Sequence, residues 1–132
     1  MILTQTSVNQ LILYLMKTLG IKITLILFTL TLQAQDTITG SWEGTLNVQG
    51  TELPLLFHIT EEDGNYKSTM DSPAQGATGI LMSETTYKEE KLIITYTQAG
   101  IRYVAKLEEG KITGTFYQSG LELPLIMKPK TQ

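Results

Sequence analysis

Residues 38–59, ITGSWEGTLNVQGTELPLLFHI, decide the fold, because apolar and polar side chains alternate along them. From Ile38 to Val48 the large apolar side chains share one parity and the polar ones share the other. This period of two is typical of a β-strand with one buried face. A turn at Gln49-Gly50-Thr51 separates that strand from a second. The inward positions of the second strand are Leu53, Leu55, Phe57 and Ile59.

The same alternation continues to Met127 and predicts about eight strands, separated by polar turns that mostly carry glycine. The fourth strand is expected to run from Ile80 through Met82 toward Tyr87. A meander of this kind has two exposed edges unless the sheet closes. We therefore predict an all-β fold, a small closed antiparallel up-and-down barrel of about eight strands. A two-sheet sandwich of the same strands is the alternative.

The first and last hairpins of this pattern resemble each other. Two motifs recur: ITGSW (38–42) with ITGTF (112–116), and GTELPLL (50–56) with GLELPLI (120–126). We expect the two hairpins to be neighbours in a closed barrel, with Gly40 and Gly114 at bends or close approaches. Pro54 and Pro124 lack a backbone donor, so each is expected at an edge, a bulge or a weakly paired position.

The segment before the strands has the features of an export signal. Residues 11–32 contain two charges, Lys17 and Lys22, and an apolar run over residues 23–32 leads to the small residue Ala34. We predict a cleaved signal peptide over residues 1–34, with Met16 as an alternative start, and a β-barrel domain over residues 35–132. A retained anchor is the alternative, but the run after Lys22 is shorter than the roughly 20 residues that span a bilayer. The mature domain is then expected in the periplasm or outside the cell, with no membrane span.

Charge and composition exclude several classes of function. The net charge is −3, and loss of Lys17 and Lys22 with the leader makes it −5. No basic stripe is present, so a nucleic-acid partner is not expected. There is no cysteine, which excludes disulfides and thiolate metal sites. One histidine among scattered acids is not a metal cluster, and no cofactor motif occurs.

His58 is the only histidine, and its parity on the second strand is opposite to that of Phe57 and Ile59. We therefore expect it to point outward. The sequence contains no Gly-x-Ser-x-Gly motif, so the usual nucleophile of an α/β-hydrolase is missing. A minor hydrolytic site that uses His58 with a nearby acid or Ser72 remains an alternative, but we assign no catalytic residue.

The segment 70–77, MDSPAQGA, breaks the alternation between the third and fourth strands. Its residue types suit a turn over one mouth of the barrel, with Asp71 accepting hydrogen bonds from later backbone amides. Its polar groups are also candidates for contacting a ligand or partner. The inward aromatic side chains are expected to form core, and their alternative role is to line a small pocket. The candidate ligand-binding residues are Trp42, Asp71, Ser72, Gln75, Tyr96 and Tyr103.

Three motifs, GSWEGTL (40–46), LPLLFHI (53–59) and MDSPAQGA (70–77), together resemble a known module. It is the non-catalytic N-terminal domain of secreted α/β-hydrolases, serine peptidase or esterase-like, from Bacteroidetes-type bacteria. The resemblance extends from Gly40 to about Met127, and residues 71–77 are its most specific part. It implies a lipocalin-like accessory barrel with no catalytic residues of its own. In that family a catalytic domain follows the module, whereas this chain stops at Gln132.

These observations favour an exported, non-catalytic accessory module. It is expected to bind a small apolar or amphipathic ligand, or to dock a separately encoded hydrolase. The alternatives are an N-terminal fragment of a secreted hydrolase whose catalytic domain is absent, and a minor hydrolytic enzyme that uses His58.

Overall fold

Strands and tight turns account for nearly all of residues 36–131. The computed structural model describes residues 7–17 and 36–131, and the predicted apolar run and cleavage position of the leader lie outside them. Residues 7–17 form an α-helix. The chain divides into two units, Met1–Gln35 and Asp36–Gln132. Within the described residues, no helix combines the length and apolarity that crossing a membrane requires.

The second unit contains nine β-strands within the described residues, joined by hairpin turns and two short 3-10 turns at Pro73–Gln75 and Thr97–Ala99. The strands are β1 (Gly40–Val48), β2 (Thr51–Glu62), β3 (Asn65–Ser72), β4 (Ala77–Leu81), β5 (Glu84–Lys88), β6 (Lys91–Tyr96), β7 (Ile101–Glu108), β8 (Lys111–Gln118) and β9 (Leu121–Pro129).

The strands close into an antiparallel barrel. The order is β2-β1-β9-β8-β7-β6-β5-β3-β4, and a further pairing of β2 with β3 completes the circle. β4 and β5 both pair with β3, through Thr69↔Leu81 and Tyr66↔Thr85, so they are two pieces of one strand position. The prediction of a closed eight-stranded barrel is thereby confirmed. The predicted continuous fourth strand is interrupted after Leu81, because the register against β3 shifts along its length.

The interior is built from one parity of each strand except β4, as the alternation predicts. On β7 the four residues Ile101, Tyr103, Ala105 and Leu107 are buried, while those between them are half-buried or exposed. The most deeply buried side chains come from strands all around the barrel: Phe57, Ile59, Leu92, Ile94, Tyr103, Ile112, Leu125 and Met127.

The two similar hairpins are neighbours, since β1 pairs with β9. The predicted close approach holds at Gly114, where an added Cβ would overlap the backbone oxygen of Val104 and the Cα of Ala105. Gly40 plays a different part. It is exposed, its φ is +129°, and no atom lies within 4 Å of the position of a Cβ. It therefore serves as a bend at the start of β1, where backbone conformation rather than space selects glycine.

Gly114→Ala is expected to destabilise the barrel by about 1–3 kcal/mol, because the new methyl group overlaps backbone that cannot move aside without opening the β7–β8 ladder. The measurement is the urea midpoint of unfolding, with an unchanged m-value. Thr113→Ala, at the exposed neighbouring position, is the control and should change stability by less than about 0.5 kcal/mol. Equal midpoints for Gly114→Ala and the unmodified protein would contradict this account of the glycine.

Candidate functional site

The centre of the barrel is occupied by stacked aromatic rings. Phe57 and Tyr103 lie 5.9 Å apart, centroid to centroid, with an interplanar angle of 4°. The Tyr103 hydroxyl donates to the backbone oxygen of Leu125, at 3.0 Å, and the Ile112 oxygen is a more distant second acceptor for the same hydrogen, at 3.4 Å. Burial raises the pKa of Tyr103, which stays a neutral donor. A ligand inside the barrel would have to displace this stack and leave the hydroxyl without its acceptors.

The six predicted ligand-binding residues lie in separate places. Trp42 and Tyr103 are core, and the Trp42 indole N–H donates to the Ile38 oxygen at 2.9 Å. Tyr96 is half-buried at the end of β6 and packs against that core. Ser72 is fully buried on the inner face of β3, and its hydroxyl donates to the Gln75 side chain at 2.7 Å. Asp71 lies on the opposite face of β3. The structure thus brings Ser72 and Gln75 together and keeps Asp71 apart from them.

The outer face of the barrel carries a line of polar side chains, which we call the polar array: Ser41, His58 and Asp71. The Ser41 hydroxyl bonds to His58 Nδ1 at 2.8 Å, and His58 Nε2 bonds to Asp71 Oδ2 at 2.9 Å. The other Asp71 oxygen accepts the Gly79 N–H at 2.7 Å. The array ties β1, β2, β3 and β4 together across one face. His58 points outward, as its parity predicts.

The hydrogen bonds of the polar array follow the order of a proton relay, from a hydroxyl through an imidazole to a carboxylate. Because Asp71 accepts a hydrogen bond from His58 Nε2, it favours the tautomer in which Nδ1 accepts from Ser41. In the usual serine triad the two nitrogens have the opposite roles: Nδ1 faces the aspartate and Nε2 faces the serine. Ser41 lies in a strand, and its carbonyl accepts the Lys130 N–H at 2.8 Å. Ser72, the serine that the sequence suggested as a partner of His58, faces the interior. The array therefore has an evident structural role, which is to hold four strands in register.

The cross-strand register explains how the polar array forms. Ser41 is directly opposite His58, and Leu56, two residues before His58, is opposite Asp71. His58 thus has the serine beside it and the aspartate on the diagonal, within reach of a long side chain. Its pairing with Ser41 and Asp71 was missed from the sequence, although two-residue turns at Gln49-Gly50 and Asp63-Gly64 would have fixed both registers.

A second feature of the outer face is an incomplete join between β1 and β9. The two strands pair only from Trp42↔Pro129 to Gly44↔Met127. Residues 45–48 of β1 and 121–126 of β9 run on without pairing to each other, and we call this stretch the seam. Pro124 lies on the seam, and Pro54 lies where β2 has not yet begun to pair with β3. The prediction that both prolines occupy edge or weakly paired positions is confirmed.

A groove of about 560 Å³ lies at the fork where the seam begins. Its apolar surface comes from Pro54, Leu56 and Ile126, and Ile126 is 52% exposed. Two lysines, Lys111 and Lys128, line it, and neither forms an ion pair within the described residues. The remaining lining residues are Glu43, Gly44, Thr45 and Leu55. The groove thus offers apolar contacts beside unpaired positive charge on a domain that is acidic overall.

Comparisons with known proteins give no relative from which a function of the polar array or of the groove could be inferred. No family model matches the chain. No curated protein and no solved structure matches it either. The resemblance to a hydrolase-associated module therefore rests on the quoted motifs and stays a prediction.

The Asp71 carboxyl group should make stability depend on pH. The Gly79 N–H, and after it the His58 side chain, hold its pKa below the ordinary value of 3.8. The folded state therefore binds this proton less readily than the unfolded state does. The stabilisation is present above about pH 3.8 and is lost as the pH falls through the folded pKa. Asp71→Asn should cost about 0.5–1.5 kcal/mol at pH 7, and the difference should shrink below pH 3.8.

The measurement is the urea midpoint of both proteins between pH 7 and pH 2. Glu61→Gln, at the exposed end of β2, removes a carboxylate outside the array and is the control. A difference for Asp71→Asn that stays constant over the whole range would show that its ionisation is not linked to folding.

Proposed function

We propose that the chain is an exported, non-catalytic binding module that docks a partner protein through the groove at the seam. The observation that carries this proposal is the contrast between the two sides of the barrel wall. Inside, the rings of Phe57 and Tyr103 fill the centre, and the Tyr103 hydroxyl donates a hydrogen bond to the Leu125 carbonyl. Outside, apolar side chains and two lysines that form no ion pair with the described residues line a groove. Binding through the outer face leaves the core intact, whereas binding a small apolar ligand inside would disrupt it.

The partner in this proposal is an α/β-hydrolase, either separately encoded or the catalytic portion of a larger chain of which this is a fragment. The support for that choice is the resemblance of residues 40–77 to the module that accompanies such enzymes. Export is part of the same proposal and is supported by the basic and apolar pattern of residues 16–34. A single apolar anchor in a groove with a charged rim is the usual arrangement of a docking site.

The test is capture of a hydrolase by the full chain carrying a C-terminal tag, from the periplasmic and secreted fractions of its source organism. We expect an α/β-hydrolase to be enriched, and Ile126→Glu to reduce its recovery about tenfold, because covering the exposed half of that side chain is worth up to about 1.5 kcal/mol. Leu81→Glu makes the same change at a position that is 65% exposed on β4 and should not affect recovery. Failure to enrich a hydrolase, or equal recovery with both variants, would contradict the proposal.

Hydrolysis at His58 is the second candidate function, and the polar array is the observation that favours it. This function requires that Ser41→Ala and His58→Ala abolish turnover of a chromogenic acetate ester while Ser72→Ala leaves it intact, since Ser72 faces the interior. A non-catalytic module instead predicts no turnover above buffer for the unmodified chain. Initial rates for the four purified proteins distinguish the two functions.

A further inference from the structure

We infer that the partner contributes an extended segment of alternating acidic and apolar residues, which adds to the free edge of β9 as an extra strand. The inference rests on the proposed docking function and specifies how the docking occurs. Three observations support it, all within the described part of the chain: a strand edge without a ladder partner, an apolar groove at one end of that edge, and two lysines without ion-pair partners.

The edge of β9 is free over a definite set of backbone groups. Lys130 N–H donates to the Ser41 carbonyl, so this residue turns its backbone groups toward β1. Backbone direction alternates along an antiparallel strand, so residues 122, 124, 126 and 128 face the same way. Pairing with β1 ends at Gly44↔Met127. Glu122 and Pro124 therefore face the seam without a ladder partner within the described residues, whereas the Ile126 carbonyl lies against β1 at Gly44.

The groove receives one side of an added strand. Side chains on one face of a strand recur at every second residue. A strand along the unpaired part of β9 would bring one of its side chains over Ile126, at the end of the groove nearest the seam, while Pro54 and Leu56 line the far side of the groove on β2. Ile126 at 52% exposure is well placed to be covered by such a residue. Backbone pairing would supply affinity and the groove would supply selectivity, as in other cases of strand addition.

Charge selects an acidic segment. Lys111 and Lys128 line the groove, against one acid, Glu43. Glu43 is opposite Lys128 in the ladder, which leaves Lys111 without a facing carboxylate in that ladder. A carboxylate on the added strand would pair with either lysine. A second copy of this chain suits the edge less well, because an antiparallel pair of β9 edges centred on Pro124 would place two residues without N–H donors opposite each other.

The experiment measures binding of the labelled peptide acetyl-EVEIEV-amide to the full chain by fluorescence anisotropy. We expect saturable binding that weakens about tenfold in Ile126→Glu, which removes the apolar contact. Lys128→Glu should weaken binding about threefold to fivefold, as for an exposed ion pair. Lys88→Glu makes the same charge change on β5, away from the seam, and should leave the affinity within about twofold. Circular dichroism of each variant checks that the barrel is intact.

Two further probes test the strand itself. A peptide with the same side chains but N-methyl groups at alternate amides cannot form a ladder and should lose binding. The lysine analogue, acetyl-KVKIKV-amide, should bind more weakly than the acidic peptide. In the complex, hydrogen exchange should slow at the amide of Glu122, which the added strand would engage.

Each other outcome overturns the inference in an identifiable way. Equal binding of the N-methylated peptide would show side-chain docking without an added strand, and the docking function would survive. Saturable dimerisation of the chain that Ile126→Glu abolishes would identify a second copy as the occupant. No binding of either acidic peptide, together with capture of a hydrolase that Ile126→Glu reduces, would leave docking in place and exclude this segment chemistry. Loss of both peptide binding and hydrolase capture would remove the two proposals together.

Discussion

The ladder between β1 and β9 is the contact that turns a sheet into a barrel, and it is only three residue pairs long. Every other neighbouring pair follows directly along the chain apart from the interruption at β4, so its register is set by a local turn. The β1–β9 ladder joins the two ends and must pay the largest loop-closure entropy. Without it, β1 and β9 would both be edges, and the apolar parity of eight strands would have no shared interior.

Closure also determines where a binding site can lie. A barrel of this strand number has just enough interior for its own side chains. Here that space is taken up by the Phe57–Tyr103 stack and by close backbone contact at Gly114, where strand β8 has no room for a side chain. The side chains of the interior therefore serve to stabilise the fold. Polar side chains that the core cannot accommodate lie on the outer wall, where the polar array extends from β1 to β4 and the groove lies across β1, between residues of β2 and β9.

The parts of this fold that follow from local pattern were predictable, and the parts that depend on non-local pairing were not. Alternation placed the strands, and it placed His58 on the outer face. The break after Leu81 escaped prediction because it arises from register shifts against β3, which no periodicity reports. The polar array lies between these cases. Counting residues outward from the two-residue turn at Gln49-Gly50 would have placed Ser41 opposite His58, but the pairing was missed because the turn was interpreted as a longer loop.

The seam could not be predicted, because it depends on how far the final ladder extends once all other registers are fixed. Its residues nevertheless include features that limit unselective pairing at an open strand edge. Pro124 removes a donor in the middle of the free edge of β9, and lysines stand near its end, two devices that oppose indiscriminate strand pairing. In the proposed docking, the same residues would make the edge selective. A strand that tolerates one missing donor and carries negative charge meets little resistance there, whereas an uncharged strand gains less and a basic one is repelled. A partly closed edge of this kind is thus better suited to one class of extended partner than either a sealed wall or a bare edge would be.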